Sequence, residues 1–287
     1  MDIEEILGLS AFIITMVILI SASIKDWKER EVPDIHWIVL SIAGLVLFIT
    51  YSINLTGFRW EYILLAAGTA MIIFDIFSDK EFHPLIYYTI MAVVFIIPLY
   101  GNISQDIFRA WASIPFCFLI YVGMYIFGIV RGGADVKCLI AVSIMFPVYP
   151  LFLGLPIIAI HNVTMSQVFV FSVSLLFFAA ILTIPMILYF AVRNVRAGHT
   201  SKRMFSGYRM DIAKAEAGDV WPAEDIIDGK VEHIKIPKEE DMAAIYARLK
   251  EAGQETVWVT PMIPFIIFIT VAAAILGLAG NPLFLIV

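Results

Sequence analysis

Long apolar runs alternate with short polar connections through most of this chain, and the runs have the length of membrane-crossing helices rather than of strands or amphipathic surface helices. On a scale of roughly 20 apolar residues per crossing, the pattern predicts eight, at about 6–24, 36–53, 62–77, 84–100, 111–130, 138–160, 167–192 and 257–280. The third and fourth are short. The sixth carries Pro147, Pro150 and Pro156, which predicts a kink or a partly re-entrant segment. Only residues 193–256 break the pattern at the scale of a domain. That segment holds 11 basic and 12 acidic residues, which read as interspersed charge on a solvated surface. Weak alternation over 231–236 predicts a strand. The spacing of Met242, Ile245, Tyr246 and Leu249 predicts a helix over 238–252 that stops at Gly253. The expected architecture is an all-α polytopic membrane protein of about eight helices with a small α/β or α+β insertion. It divides into a membrane domain at 1–192, a soluble domain at 193–256 and a last transmembrane helix at 257–287.

Composition sharpens this class. Hydrophobic residues make up 61% of the 287 and charged residues 15%, far from the balance of a soluble domain. The first apolar run follows Asp2, Glu4 and Glu5 rather than a basic n-region, so it is read as a retained helix, not a cleaved signal. Cys117 and Cys138 lie in or beside apolar runs without CxxC spacing, as expected of buried free thiols rather than disulfides or zinc ligands. If all eight runs cross, 17 of the 19 Lys and Arg residues fall on one side, including the whole of 193–256; Arg59 and Arg109 fall on the other. In the short connections the count is six against two, which places the basic side in the cytoplasm.

The chemistry is concentrated in two polar interruptions. Lys25-Asp26-Trp27-Lys28-Glu29-Arg30-Glu31-Val32-Pro33-Asp34 follows the first run, and Arg131-Gly132-Gly133-Ala134-Asp135-Val136-Lys137 precedes the sixth. Pro33 and Asp34 suit a helix start, so Asp34 is read as a cap. Four crossings separate Asp26 from Asp135. An even number returns both aspartates to one membrane face. Two carboxyls held close share a proton, so one serves as general base on a water while the other protonates the carbonyl oxygen of a scissile bond. Neither a metal nor a cofactor is needed for that reaction. The other reading of these residues is interfacial charge, with Asp26 and Asp135 paired to Lys25 or Lys137. A transporter using Asp75, Asp26 or Asp135 as a proton or ion relay is a second alternative, and a non-catalytic scaffold presenting 193–256 to a partner is a third. The sequence contains no HExxH and no GxSG. His36, His83, His161, His199 and His233 are scattered as boundary or domain residues, and Asp75 reads as a buried structural acid or, second to that, a third acid near the site.

These two interruptions resemble the GxGD membrane aspartic peptidases that process type IV prepilins and archaeal preflagellins. Gly132 to Lys137 is similar to the GxGDxK motif, with Ala134 at the second glycine, and Val257 to Phe265 looks like the C-terminal region of archaeal members. The resemblance implies that Asp26 and Asp135 are the catalytic dyad, supported by Lys28, Arg30, Gly132, Gly133 and Lys137. It implies an aspartic endopeptidase of the cell membrane, without cofactor, acting on a precursor with a short basic leader and an apolar helix, cut at the cytoplasmic face. Nucleic acid is not an expected partner. Absence of the paired CxxC motifs of the bacterial branch favours an archaeal, peptidase-only role. Glu29, Glu31, Asp79 and Glu81 are candidates for attracting the basic leader.

Overall fold

A carboxylate opens the first helix and a left-handed residue closes it. In the computed structural model of the chain, which describes all residues except 79–82, 131, 159–168, 236, 238, 286 and 287, α1 spans Ile3–Glu29. Asp2 Oδ1 accepts from Glu5 N at 2.8 Å, satisfying one of the free donors of the first turn. Arg30 ends the helix at φ 57°. The other helices are α2 (Ile35–Thr56), α3 (Glu61–Phe77), α4 (Pro84–Leu99), α5 (Asp106–Ile126), α6 (Gly133–Met145), α7 (Phe171–Leu182) and α8 (Ile184–Arg196). On α1, Ala11, Thr15, Leu19 and Ala22 are buried, while Ile13, Val17, Ile20 and Ile24 form an exposed stripe at helical spacing. A helix apolar on both its packed and its open face is suited to lipid.

The protein is a polytopic helical membrane protein with a small sheet-bearing insertion. Among the described residues, α1, α2, α5 and the stretch Phe171–Arg196 are long and apolar enough to cross a bilayer, and α4 and Phe265–Leu278 are shorter apolar helices. The sixth expected span breaks at its prolines, in the manner of the kinked or partly re-entrant segment expected there. Helix α6 has 13 residues, about 20 Å at 1.5 Å per residue against a hydrocarbon core of about 30 Å. It stops ahead of Pro147, and residues 146–158 are irregular. That segment is useful to the fold: Ile157 N and Ile158 N donate to Leu278 O (3.1 Å) and Ala279 O (2.9 Å), supplying donors where the last helix runs out of its own. The seventh run is interrupted at Thr183, ahead of Pro185.

The chain forms two compact units. One comprises Met1–Ala180 and Pro264–Val287. Within it α2 packs on α1, α3 and α6, and α5 packs on α6. The backbones of α2 and α6 come close at Gly44, where a Cβ would sit 2.6 Å from Met145 Cα. The other unit is Ile181–Ile263. After α8 come β1 (Tyr208–Asp211), α9 (Ile212–Glu216), β2 (Val220–Pro222), β3 (Glu224–Ile227), β4 (Lys230–His233), α10 (Glu239–Glu251) and β5 (Thr256–Pro261). The antiparallel sheet has order β1-β5-β2, and β3-β4 is a separate hairpin. Its turn is Asp228-Gly229, both at positive φ, as a tight two-residue hairpin turn requires. The expected strand appears as β4, with Ile236 outside the described residues, and the expected helix as α10, with Lys238 outside them. Ile245, Tyr246 and Leu249 of α10 pack with Ile212, Val220, Val257 and Val259. Burial, with Glu216 nearby, pushes the Tyr246 hydroxyl up to about 12, so it remains a donor, to Val220 O at 3.3 Å. The apolar run beginning at 257 is first strand β5 of this sheet; helix α11 (Phe265–Leu278) starts only after Pro264.

Candidate active site

Four helix ends belonging to the first unit meet around the two candidate aspartates: the C-terminus of α1 and the N-termini of α2, α6 and α11. Asp26 lies one turn before the end of α1, half-buried. Its Oδ2 accepts from Ile266 N, in the first turn of α11, at 3.3 Å. Pro264 precedes this turn and offers no side-chain cap. Asp26 therefore takes that place from a neighbouring helix, at the positive end of the α11 dipole. One turn earlier on α1, Ser23 Oγ bonds Thr270 Oγ1 at 2.7 Å, so two polar contacts fix α1 against α11.

Asp135 occupies the third position of α6. Its charge and that of Asp26 interact, and both act on buried Cys138 one turn further along α6. The two motifs, remote in sequence, thus stand within electrostatic reach of each other. The adjacent glycines play different parts. A Cβ on Gly132 would collide with the Asp135 carboxylate, whereas one on Gly133 would meet nothing within 4 Å. Gly132 has φ −73°, an ordinary value. Its lack of a side chain matters because the carboxylate folds back over it.

Lys137 is not directed at either member of the pair. Its Nζ donates to both oxygens of Asp34, at 2.7 and 2.6 Å, and lies 5.7 Å from the centroid of the Phe77 ring. Asp34 does stand at the N-cap of α2, but its carboxylate makes no cap hydrogen bond there. The Asp34–Lys137 pair ties the start of α2 to the start of α6, which carries Asp135. Lys25 turns to Glu29 at 3.3 Å. Neither pairing foreseen by the interfacial-charge reading, to Lys25 or to Lys137, is present. Arg30 acts electrostatically on Asp26 and places its guanidinium 5.9 Å from the Trp27 ring. Lys28 is exposed at the end of α1. His36 secures the α1–α2 turn, with Nε2 3.2 Å from Ser21 Oγ and Nδ1 3.1 Å from Pro33 O.

Among the outlying acids, Asp75 accepts from the Tyr88 hydroxyl of α4 (3.3 and 3.2 Å), as a structural acid would. Glu29 is engaged by Lys25 and Glu31 is exposed. Asp79, Glu81 and Arg131 lie outside the described residues. Cys117 and Cys138 are buried free thiols. Among the described residues no three His, Cys, Asp or Glu side chains group as metal ligands would. Two contributors escaped the sequence reading. One is the Ile266 main-chain donor, signalled only by Pro264 ahead of an apolar run. The other is the Asp34–Lys137 pairing, whose members both sit in the singled-out motifs.

Nearly the whole chain is similar to archaeal proteins. It is 24% identical to the preflagellin peptidase of Methanocaldococcus jannaschii over 94% of this chain and 94% of that one. It is 25% identical to the preflagellin peptidase of Methanococcus maripaludis, over 94% of this chain and 95% of the relative. It is also 21% identical to an uncharacterized protein of Methanocaldococcus jannaschii, over 93% and 92% of the two chains. No protein-family model and no solved structure matches. The chain is thus similar to archaeal preflagellin peptidases over almost its full length.

Proposed function

We propose that this chain is a membrane aspartic endopeptidase that removes a short basic leader from preflagellin or a related type IV prepilin-like precursor at the cytoplasmic face, with Asp26 and Asp135 as its catalytic pair. The observation that supports the proposal is the electrostatic interaction of these two carboxylates, carried by the end of α1 and the start of α6, far apart in sequence. Similarity to preflagellin peptidases over about 94% of the chain supports the same reaction class.

The reaction follows from one shared proton. The ionised carboxylate takes a proton from a water, whose oxygen attacks the peptide carbonyl carbon. The protonated partner donates to the carbonyl oxygen. As the tetrahedral intermediate collapses, the leaving amine takes a proton from the pair, the C–N bond breaks, and a hydroxyl of the intermediate returns its proton to the pair, which again holds one. Each side chain has a support: the Ile266 N–H for Asp26, the open space over Gly132 for Asp135, and the Asp34–Lys137 pair for the start of α6. Lys28 and Arg30 add positive charge beside Asp26. Exposed Glu31, with Glu29, Asp79 and Glu81, supplies negative charge suited to a basic leader.

The test is cleavage of a purified precursor by reconstituted protein carrying Asp26→Asn or Asp135→Asn. Both keep shape and hydrogen-bonding capacity while removing the acid. Each is expected to lower the rate by at least about 10³-fold with unchanged helicity and thermal unfolding. Normal cleavage by either variant would remove the dyad.

A further inference from the structure

The insertion's charges are not interspersed as the sequence reading had them. Residues 193–209 hold five Lys and Arg and no Asp or Glu, whereas residues 210–255 hold six basic and all twelve acidic residues. The basic stretch begins at the last turn of α8, whose open face is apolar: Ile184, Ile187, Leu188, Val192 and Val195 are exposed at helical spacing. It is also a built element. Asn194 is buried, and its Nδ2 donates to Met204 O (3.0 Å) and Gly207 O (2.7 Å), clamping the end of α8 to the following turn. Arg193 stacks on Tyr208, with its guanidinium carbon 3.9 Å from the ring centroid. Arg193, Arg196 and Arg209 are exposed, and so is Phe205, an aromatic side chain among cations. Glu224 reaches back to this stretch, 3.7 Å from Arg209 and acting electrostatically on Arg203. Glu224 is otherwise engaged by Trp258 N at 2.9 Å.

We infer that residues 193–209 are a docking surface for an anionic bilayer, in which Arg193 and Arg196 meet acidic lipid headgroups and Phe205 enters the interfacial layer. A cluster of cations directly after an apolar helix is attracted to a negatively charged leaflet, and the attraction fades within a Debye length. The acidic remainder of the unit is repelled by the same field. The two effects act in one sense and set which end of the insertion faces the lipid. This surface includes neither residue of the proposed catalytic pair, and the inference stands whether or not the chain is a peptidase.

The test uses the full chain with Phe205→Cys labelled by a small fluorophore; Cys117 and Cys138 are buried. The protein is placed in nanodiscs of phosphatidylcholine alone or with about 30% phosphatidylglycerol, each containing a headgroup nitroxide quencher. Quenching is expected to rise about two-fold with the anionic lipid and to fall back at about 0.5 M salt. Combined Arg193→Gln and Arg196→Gln are expected to abolish the rise. Near-ultraviolet circular dichroism checks that the variant keeps its fold. Equal quenching in neutral and anionic discs, or a rise that survives the double substitution, would overturn the inference.

Discussion

Replacing Gly132 and Gly133 separately by Ala isolates the steric effect at the proposed catalytic pair. At Gly132 the backbone is in a region any residue adopts, so the substitution introduces no backbone strain. The added carbon would overlap an Asp135 carboxylate oxygen and lie 2.8 Å from Asp135 Cγ. Real Cβ contacts are not that short, so the carboxylate must swing aside by about an ångström, a displacement that costs on the order of 10²-fold in rate when reacting groups are misaligned. Stability should change by less than about 1 kcal/mol, because the moving group is the end of a side chain. Gly133 is the control. It begins α6 with open space around its missing side chain, so Ala there should stabilise by up to about 1 kcal/mol through helix propensity and a less flexible unfolded chain, with the rate kept within about two-fold. Initial rates of precursor cleavage, paired with thermal unfolding of the same preparations, read both quantities. Normal cleavage by Gly132→Ala, or an equal loss in Gly133→Ala, would refute the reasoning.

Lys137→Met breaks a pair whose side chains are 28% and 44% exposed, so it should cost no more than about 1 kcal/mol in thermal unfolding, yet lower kcat through movement of α6; Asp34→Lys combined with Lys137→Asp should recover part of the rate. Arg30→Gly relieves a left-handed non-glycine residue, worth about 1 kcal/mol, and removes a cation near Asp26; unfolding temperature should hold or rise while cleavage slows. Asn281 is buried beyond the C-terminal end of α11 and donates to Tyr149 Oη (3.2 Å) and Ser174 Oγ (2.9 Å). Asn281→Ala should destabilise by about 2 kcal/mol without changing activity per folded molecule, since Asp26 sits at the other end of that helix. Asp79→Lys with Glu81→Lys should raise KM for a precursor with a basic leader and leave kcat unchanged; unchanged KM would dismiss leader attraction by these acids.

The apolar runs of 6–24 and 36–53 became α1 and α2 almost as expected, because hydropathy and helix-end signals are local properties. The run at 138–160 did not become one helix. Its three prolines signalled the break, and α6 ends before Pro147; that the following backbone finds partners on α11 is a choice composition does not encode. The run at 257–280 was divided because Val257 and Val259 complete a sheet core with distant residues of α9 and α10. Apolar residues satisfy a lipid environment and a protein core equally well.

By itself the sequence determined the membrane class, the polar insertion with its β4 hairpin strand and α10, and, through the even number of apolar runs between them, the return of Asp26 and Asp135 to one end of the helices. Each follows from short-range periodicity, from transfer of side chains out of water, or from counting. Tertiary structure alone decided that Lys137 joins Asp34, that the α11 backbone holds Asp26, and that only Gly132 is crowded by Asp135. Hydrogen bonds and ion pairs act over a few ångströms, and helix packing sets those distances between residues that are far apart along the chain.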